Sequence, residues 1–219
     1  MLLYDSYGPN PHTTRLFVVE RGCEVNIQPI DIEKYEHRRK PYIDINPRAE
    51  LPALILDDGT VITEITAICQ YLDKVTPGKS LFGDEDPKER AIIHMWYRRI
   101  YLNILMPAIE WWRGSTDAEN SYTGNRILIP EGQRGFRAMA EKGLNQLELD
   151  LADEREFITG DSYSMADLMF FAFVNEMKLA IPWFINPGRP YIAAWYERIL
   201  ARPASQKAIQ PLPAGSYKG

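Results

Sequence analysis

The pattern of apolar residues changes once along the chain, at the segment VTPGKSLFGDEDP, residues 75–87. Before this segment, short stretches of strand-like alternation are interspersed with helical periodicity, whereas after it only helical periodicity remains. A stretch of proline, glycine and acidic residues between two periodic regions is typical of a linker. The sequence therefore predicts an α/β domain at 1–76, a linker at 77–85 and an all-helical domain at 86–219.

The start of the chain predicts a strand, a helix and a second strand. LLY at residues 2–4 reads as a strand, and the turn GPNP after it leads into a helix. Asn10 can cap this helix and Pro11 suits its first position. Gly22 closes the helix, and VNIQPIDI at 25–32 follows as a strand with alternating apolar residues.

The rest of the first domain predicts a short helix, a hairpin and a longer helix. The short helix lies near residues 41–45, and LPALIL at 51–56 pairs with TVIT at 60–63 across an Asp-Gly turn. Thr63 can cap the helix that begins at Glu64. The first domain therefore has the order βαβαββα.

The second half of the chain predicts helices alone. Ser164 and Asp167 form a capping box before an almost wholly apolar helix, which is the pattern of a helix buried at a domain centre. The last ten residues, QPLPAGSYKG, are expected to be loosely ordered. Helices are predicted at 86–113, 133–152 and 165–178, and from Pro190 to about residue 202.

Charge and composition exclude several function classes. The 25 Lys and Arg against 30 Asp and Glu give a net charge of −5, so we expect no nucleic-acid partner. No segment approaches about 18 uninterrupted apolar residues, so we expect neither a membrane span nor export. Cys23 and Cys69 have neither CxxC spacing nor a metal-binding cluster, which predicts packing roles, no metal and a reducing, cytoplasmic location.

Three motifs in order carry a resemblance to a known family. They are NPRAELPAL at 46–54, DDGTVITEITAICQYL at 57–72 and FITGDSYSMADLMFFAFV at 157–174. Together with the linker they resemble the glutathione transferase superfamily over essentially the whole chain. The resemblance implies a thioredoxin-like domain that binds glutathione as co-substrate, an all-helical domain that shapes the second substrate's pocket, and no tightly bound cofactor.

The resemblance also implies how glutathione is held. Pro52 is expected to follow a cis peptide bond, so that the backbone of Leu51 binds the cysteinyl part of glutathione. Glu64 and the backbone N–H of Ile65 are expected to receive the γ-glutamyl end at a helix N-terminus. Many members have Ser where this chain has Ile65. The loss of one neutral hydrogen bond, about 1 kcal/mol or roughly five-fold in affinity, predicts weaker glutathione binding.

The glycyl carboxylate of glutathione needs a basic partner from the loop before the second helix. The segment EHRRKP at 36–41 offers four basic side chains in that loop. We expect either Arg38 or Lys40 to serve, and the sequence does not choose between them.

The group that activates the glutathione thiol is less conventional. The thiolate is the nucleophile, and the family generally stabilises it with Tyr, Ser or Cys near the first strand and helix. This chain has Gly8 or Asn10 there, and its GPNP turn resembles an atypical branch best known from fungi, in which a helix N-terminus and a positioned water act instead. The catalytic candidates are Asn10, Ser115 as a ligand of the water, and Tyr7. Gly114 stands where that branch has a His, and Asn10 as a simple helix cap stays an alternative.

A second-substrate pocket is expected near the start of the helical domain. Its aromatic residues favour a flat, apolar electrophile. The candidates are Tyr7, Tyr101, Trp111, Trp112 and Ser115.

The sequence thus predicts an enzyme that conjugates glutathione to small electrophiles in detoxification. The alternatives are a noncatalytic adaptor of the same fold and a glutathione-dependent isomerase, peroxidase or ether-cleaving enzyme. A glutaredoxin-like reductase is excluded because no cysteine begins the first helix. The amphipathic stretch 88–101 predicts a homodimer.

Overall fold

The computed structural model describes residues 1–84, 86–122 and 126–217 of the chain. The chain divides into two compact units. The first comprises Met1–Asp84 and Arg198–Gly219, and the second comprises Glu85–Glu197. The domain boundaries 1–76, 77–85 and 86–219 stay a prediction, but the last part of the chain, which they assign to the helical half, packs within the first unit.

The N-terminal stretch has the predicted order βαβαββα. A 3₁₀ turn, Glu36–Arg38, precedes α2. The elements are β1 Leu2–Asp5, α1 Pro9–Arg21, β2 Val25–Pro29, α2 Tyr42–Ile45, β3 Ala53–Ile55, β4 Val61–Thr63 and α3 Ile65–Val75.

Among the described residues after α3, the regular elements are helices apart from one strand near the end. The predicted helix 86–113 is present as α4, a π-helical turn at Tyr101–Leu105 and α5, one directly after the other. A 3₁₀ turn at Pro130–Gly132 leads into α7. The elements are α4 Pro87–Ile100, α5 Met106–Arg113, α6 Thr116–Tyr122, α7 Gln133–Asp150, α8 Met165–Met177, α9 Pro190–Leu200, α10 Pro203–Ala208 and β5 Gly215–Tyr217. None of the helices in the described ranges is long and apolar enough to cross a bilayer.

The sheet has five strands in the order β4-β3-β1-β2-β5. β1 pairs with β2 in parallel, and the other neighbours are antiparallel. The expectation of a loosely ordered tail is wrong for β5, which pairs Val25 with Tyr217 along β2. Without β5, the unpaired N–H and C=O groups of β2 would form a sheet edge.

The helix α8 forms the core of the second unit. Twelve of its thirteen residues are buried, and the predicted capping box of Ser164 and Asp167 is confirmed. Asp167 also accepts hydrogen bonds from the Ile158 amide at 2.8 Å and the Trp195 indole at 2.9 Å. Burial raises the pKa of the Asp167 carboxyl, and these donors oppose that rise.

A fully buried ion pair ties the tail to the first strand and helix. Arg15 donates from Nη1 to Asp5 Oδ1 at 2.8 Å and to the Ser6 carbonyl at 2.9 Å, and from Nε to the Ala208 carbonyl at 2.7 Å. The amide of Leu212 donates to Asp5 Oδ2 at 3.3 Å. Neither charged side chain is exposed to solvent. The pair thus joins β1 and α1 to the end of α10 and to the segment after it.

Arg15→Met tests how much this ion pair contributes to the stability of the protein. Methionine keeps the length of the side chain but leaves the Asp5 carboxylate buried without its cation, which typically costs about 3–5 kcal/mol. We expect the free energy of unfolding, measured by urea denaturation, to fall by that amount. Lys34→Met is the matched control, because Lys34 pairs with Asp31 at the surface, and it should leave the curve close to wild type. Equal losses in the two variants would contradict this account.

Candidate functional site

Three segments of the first unit meet at one end of the sheet, where neighbouring strands begin or finish. Tyr4 pairs with Ala53, and Ala53 pairs with Thr63. The C-terminal end of β1, the N-terminal end of β3 and the C-terminal end of β4 therefore lie side by side. The segments attached to these ends are the turn into α1, the dipeptide Leu51-Pro52 and the start of α3 at Glu64. The sheet thus brings together the segments that carry Asn10, Leu51, Pro52, Glu64 and Ile65, whereas Arg38 and Lys40 lie in the separate loop before α2.

The start of α1 differs from the sequence prediction. Gly8, with φ 113° and ψ 160°, is the N-cap, and the helix begins at Pro9, so Asn10 is not the capping residue. A residue with a β-carbon rarely adopts that φ, which is why the cap lies at the glycine. Asn10 is the second residue of the helix and its side chain is exposed.

The two prolines leave one backbone donor at the start of α1. Proline carries no amide hydrogen, so Pro9 and Pro11 offer none, and the His12 amide bonds to the Gly8 carbonyl at 3.0 Å. Asn10 supplies the backbone N–H between them and a side-chain amide beside it. Both donors lie at the positive end of the helix dipole.

The nearby hydroxyls differ in their availability. Ser6 is buried, and its hydroxyl donates to the Ile30 carbonyl at 2.6 Å. That bond ties β1 to the end of β2, and it explains why Ser6 is a structural residue. The Tyr7 side chain is 55% exposed.

The segment before β3, Leu51-Pro52, lies outside the strand pairing. The Leu51–Pro52 peptide bond is cis, as expected from the sequence, and the Lys40–Pro41 bond is cis as well. The β1–β3 pairing ends at Ala53, so the amide and carbonyl of Leu51 lie outside the ladder. These two groups therefore lie at the end of the sheet and take no part in its strand pairing.

The start of α3 also differs from the prediction that Thr63 caps it. Glu64 is the N-cap, with φ 71°, and the helix begins at Ile65. Among the described residues, the exposed Glu64 carboxylate has no hydrogen-bond partner. A non-glycine residue at positive φ costs on the order of 1–3 kcal/mol and is often kept where function requires it. The side chain of Ile65 is buried. Its backbone amide is the first of the helix N-terminus.

The basic loop contains one well-oriented cation. The Arg38 guanidinium lies 4.8 Å from the centre of the Tyr35 ring, and its Nε donates to His37 Nε2 at 3.2 Å. Burial, followed by the charge of Arg38, lowers the pKa of His37. Lys40 is exposed and pairs with Asp44 at 3.3 Å, and Arg39 donates to the Lys34 carbonyl.

The second-substrate candidates fall in both units. Tyr7 belongs to the first unit, and the other four belong to the second. The Trp111 ring lies 5.3 Å from that of Trp183, centre to centre, and the Trp112 ring 5.7 Å from that of Tyr122. Adjacent helical positions point about 100° apart, which is why these two rings have different partners.

The remaining second-unit candidates are Ser115 and Tyr101. The Ser115 hydroxyl is buried and has no hydrogen-bond partner among the described residues. Tyr101 begins the π-helical turn and is half-buried. The described ranges contain no group of three His, Cys, Asp or Glu residues that could hold a metal ion.

Comparison with known proteins finds relatives over both halves of the chain. A family profile described as "Glutathione S-transferase, N-terminal domain" matches residues 7–75, and one described as "Glutathione S-transferase, C-terminal domain" matches residues 128–198. The chain is 30% identical over 218 residues to glutathione S-transferase 2 of Saccharomyces cerevisiae, with 96% of this chain and 90% of that protein covered.

Solved structures show the same relationship. The crystal structure of Gtt2 from Saccharomyces cerevisiae superposes with a TM-score of 0.81 at 28% identity, covering 95% of this chain and all of that one. A glutathione S-transferase of class Gtt2 from Vibrio parahaemolyticus gives a TM-score of 0.76 at 28% identity, covering 95% of this chain and 96% of that one.

Proposed function

The chain belongs to the glutathione S-transferase family and resembles its Gtt2-like branch, and from that premise we propose that it joins the glutathione thiolate to small apolar or aromatic electrophiles. Glutathione is the co-substrate. The observation that carries the proposal is the convergence of the α1 N-terminus, Leu51-Pro52 and Glu64-Ile65 at one end of the sheet. These three segments suit the thiol, the cysteinyl backbone and the γ-glutamyl end respectively.

The proposed site binds glutathione largely through backbone groups. The amide and carbonyl of Leu51 pair with the cysteinyl residue in the manner of an added strand. The first-turn amides of α3, beginning with Ile65, take the γ-glutamyl carboxylate, and Glu64 takes its ammonium. Ile65 contributes no hydroxyl, so the affinity for glutathione is modest.

Arg38 is the better of the two candidates for the glycyl carboxylate. Its guanidinium is already oriented by the Tyr35 ring and the His37 nitrogen, so less side-chain entropy is lost on binding. Lys40 is paired with Asp44 and lies in solvent, and a solvated ammonium gains less from a further carboxylate.

Asn10 stabilises the thiolate in this proposal. It carries the backbone and side-chain donors at the positive end of α1, and a thiolate accepts such hydrogen bonds. Ser6 is excluded from this role because its hydroxyl is committed to the Ile30 carbonyl. Ser115 is proposed to hold a water, since its buried hydroxyl needs a partner, and Tyr7 is the alternative hydroxyl.

The aromatic candidates define the proposed electrophile. The aromatic side chains proposed for it are Tyr7 in the first unit and Tyr101, Trp111 and Trp112 in the second. Aromatic rings favour flat apolar groups over charged ones. Peroxide reduction, isomerisation and ether cleavage use the same thiolate and differ in the second substrate that is accepted, whereas a noncatalytic adaptor would lack turnover altogether. Glutathione affinity capture, followed by assays with an aromatic halide and an organic peroxide, separates these functions.

We propose a cellular setting for the enzyme from its cysteines and its family. Cys23 and Cys69 are free and buried, which agrees with a reducing compartment. Burial raises the pKa of both thiols, so neither is a reactive thiolate. We place the enzyme in the cytoplasm, with detoxification of electrophiles as its role and residues 1–76 as its glutathione-binding domain.

Asn10→Ala tests the thiolate assignment. Removing the side-chain donor should lower kcat by roughly ten- to a hundred-fold, equivalent to about 1.5–3 kcal/mol for one charge-assisted hydrogen bond, with the Kd for glutathione changed much less. The pKa of bound glutathione, read from thiolate absorbance in the ultraviolet, should rise. Tyr7→Phe and Ser6→Ala are the controls. Loss of activity in Tyr7→Phe with Asn10→Ala intact would assign the role to a conventional hydroxyl.

A surface groove of the second unit supports the proposed homodimer. It has a volume of about 420 Å³ and lies between α7 and the stretch formed by α4 and the π-helical turn. Apolar side chains such as Trp96 and Leu147 line it, and Arg99, Lys142 and Asp150 bring charges of both signs. A two-fold interface sets each patch against its own copy, so a groove with both charges can pair with itself.

Sedimentation measures this assembly. At micromolar concentration we expect a mass near twice the 25.2 kDa of one chain. Met139→Lys, which places a cation in the groove on a side chain that is 53% exposed, should shift the mass toward the monomer. Leu179→Lys, at a 91% exposed position outside the groove lining, should not. A monomeric wild-type protein would refute the dimer.

A further inference from the structure

One carbonyl next to the proposed glutathione site accepts two hydrogen bonds from buried side chains. The Tyr42 hydroxyl donates to the Glu50 carbonyl at 2.5 Å, and Asn46 Nδ2 donates to the same oxygen at 2.8 Å. A carbonyl oxygen has two lone pairs, so this one is fully used. Tyr42 is 1% exposed and Asn46 is 3% exposed.

Asn46 also fixes the turn at residues 46–49, which leads to Glu50. Asn46 Oδ1 accepts from the Arg48 amide at 3.2 Å, and the Asn46 carbonyl accepts from the Ala49 amide at 2.9 Å. Ala49 has φ 54°, in the left-handed region, which reverses the chain just before Glu50. The chain therefore reaches Glu50 in one defined direction.

The geometry of the peptide group passes this constraint to the next residue. The Glu50 carbonyl and the Leu51 amide belong to the same planar group, in which the C=O and N–H bonds of a trans peptide point in opposite directions. Two donors that hold the carbonyl oxygen on the protein side therefore point the Leu51 N–H away from it. That N–H is the donor that the proposed function assigns to the cysteinyl carbonyl of glutathione.

We propose that the Tyr42 hydroxyl is a positioning group for glutathione, which acts through the Glu50 carbonyl to aim the Leu51 amide. The inference rests on the proposed function and adds a residue that does not itself touch the substrate. The aromatic ring has a separate part, since it packs edge-on against Tyr4 with ring centres 5.2 Å apart. A phenylalanine keeps that packing and removes only the hydroxyl.

The phenol is suited to act as a permanent donor. Burial raises the pKa of Tyr42 well above its usual value, so the hydroxyl keeps its proton across the pH range in which the enzyme can work. Asn46 cannot fully replace it, because one remaining hydrogen bond leaves the peptide group freer to rotate. The expected consequence is weaker substrate binding with unchanged chemistry.

Tyr42→Phe tests the proposal, with Tyr4→Phe as the matched control. Steady-state kinetics with an aromatic halide and calorimetric titration with glutathione should show KM and Kd for glutathione raised about five-fold, the usual effect of one neutral hydrogen bond. The kcat at saturating glutathione should stay within about two-fold of wild type. Tyr4→Phe should change none of these constants.

A second variant keeps the test decisive if Tyr42→Phe is unstable. Asn46→Ser removes the other donor to the Glu50 carbonyl and should raise KM for glutathione in the same direction, again without a matching loss of kcat. Equal falls of kcat and glutathione affinity in both variants, or an unchanged KM in both, would overturn the inference alone. A wild-type protein that fails to bind glutathione would overturn the proposed function with it.

Discussion

The buried pair of Asp5 and Arg15 is the interaction on which the geometry of the site depends. A charge pair with no exposure to solvent is stable only while its geometry and additional hydrogen bonds are kept. Here those additional bonds come from the Ser6 and Ala208 carbonyls and the Leu212 amide. The end of β1 and the body of α1 are therefore tied together on either side of the turn that leads to Asn10.

A second constraint is the reliance of the proposed site on backbone donors. Pro9 and Pro11 remove two amides from the first turn of α1, and Ile65 offers an amide where a serine would add a hydroxyl. With fewer donors in place, the aim of each remaining one matters more. The two hydrogen bonds on the Glu50 carbonyl and the N-cap conformation of Glu64 are the features that aim them. Such a site depends on the fold more than on reactive side chains.

Local signals in the sequence predicted most of the fold. The Asp58-Gly59 turn, the capping box at Ser164 and the glycine that closes α1 are encoded within a few residues, and all three are confirmed. The tail strand was missed because its pairing partner, β2, lies almost two hundred residues away. The sequence misplaced the starts of the helices that begin at Pro9 and Ile65. In each case a positive φ at the preceding residue makes that residue the N-cap. The Tyr42 hydroxyl could not be singled out, since its role depends on where the Glu50 carbonyl points.

The central claim is that glutathione binds at the end of the sheet where β1 and β4 finish and β3 begins. Backbone amide resonances followed by nuclear magnetic resonance during a glutathione titration test it most directly. The account predicts that the amide signals of Asn10, Leu51 and Ile65 shift along one saturation curve, while that of Ile27, buried in β2, stays in place. A titration that shifts other amides and leaves Leu51 and Ile65 unmoved would contradict it.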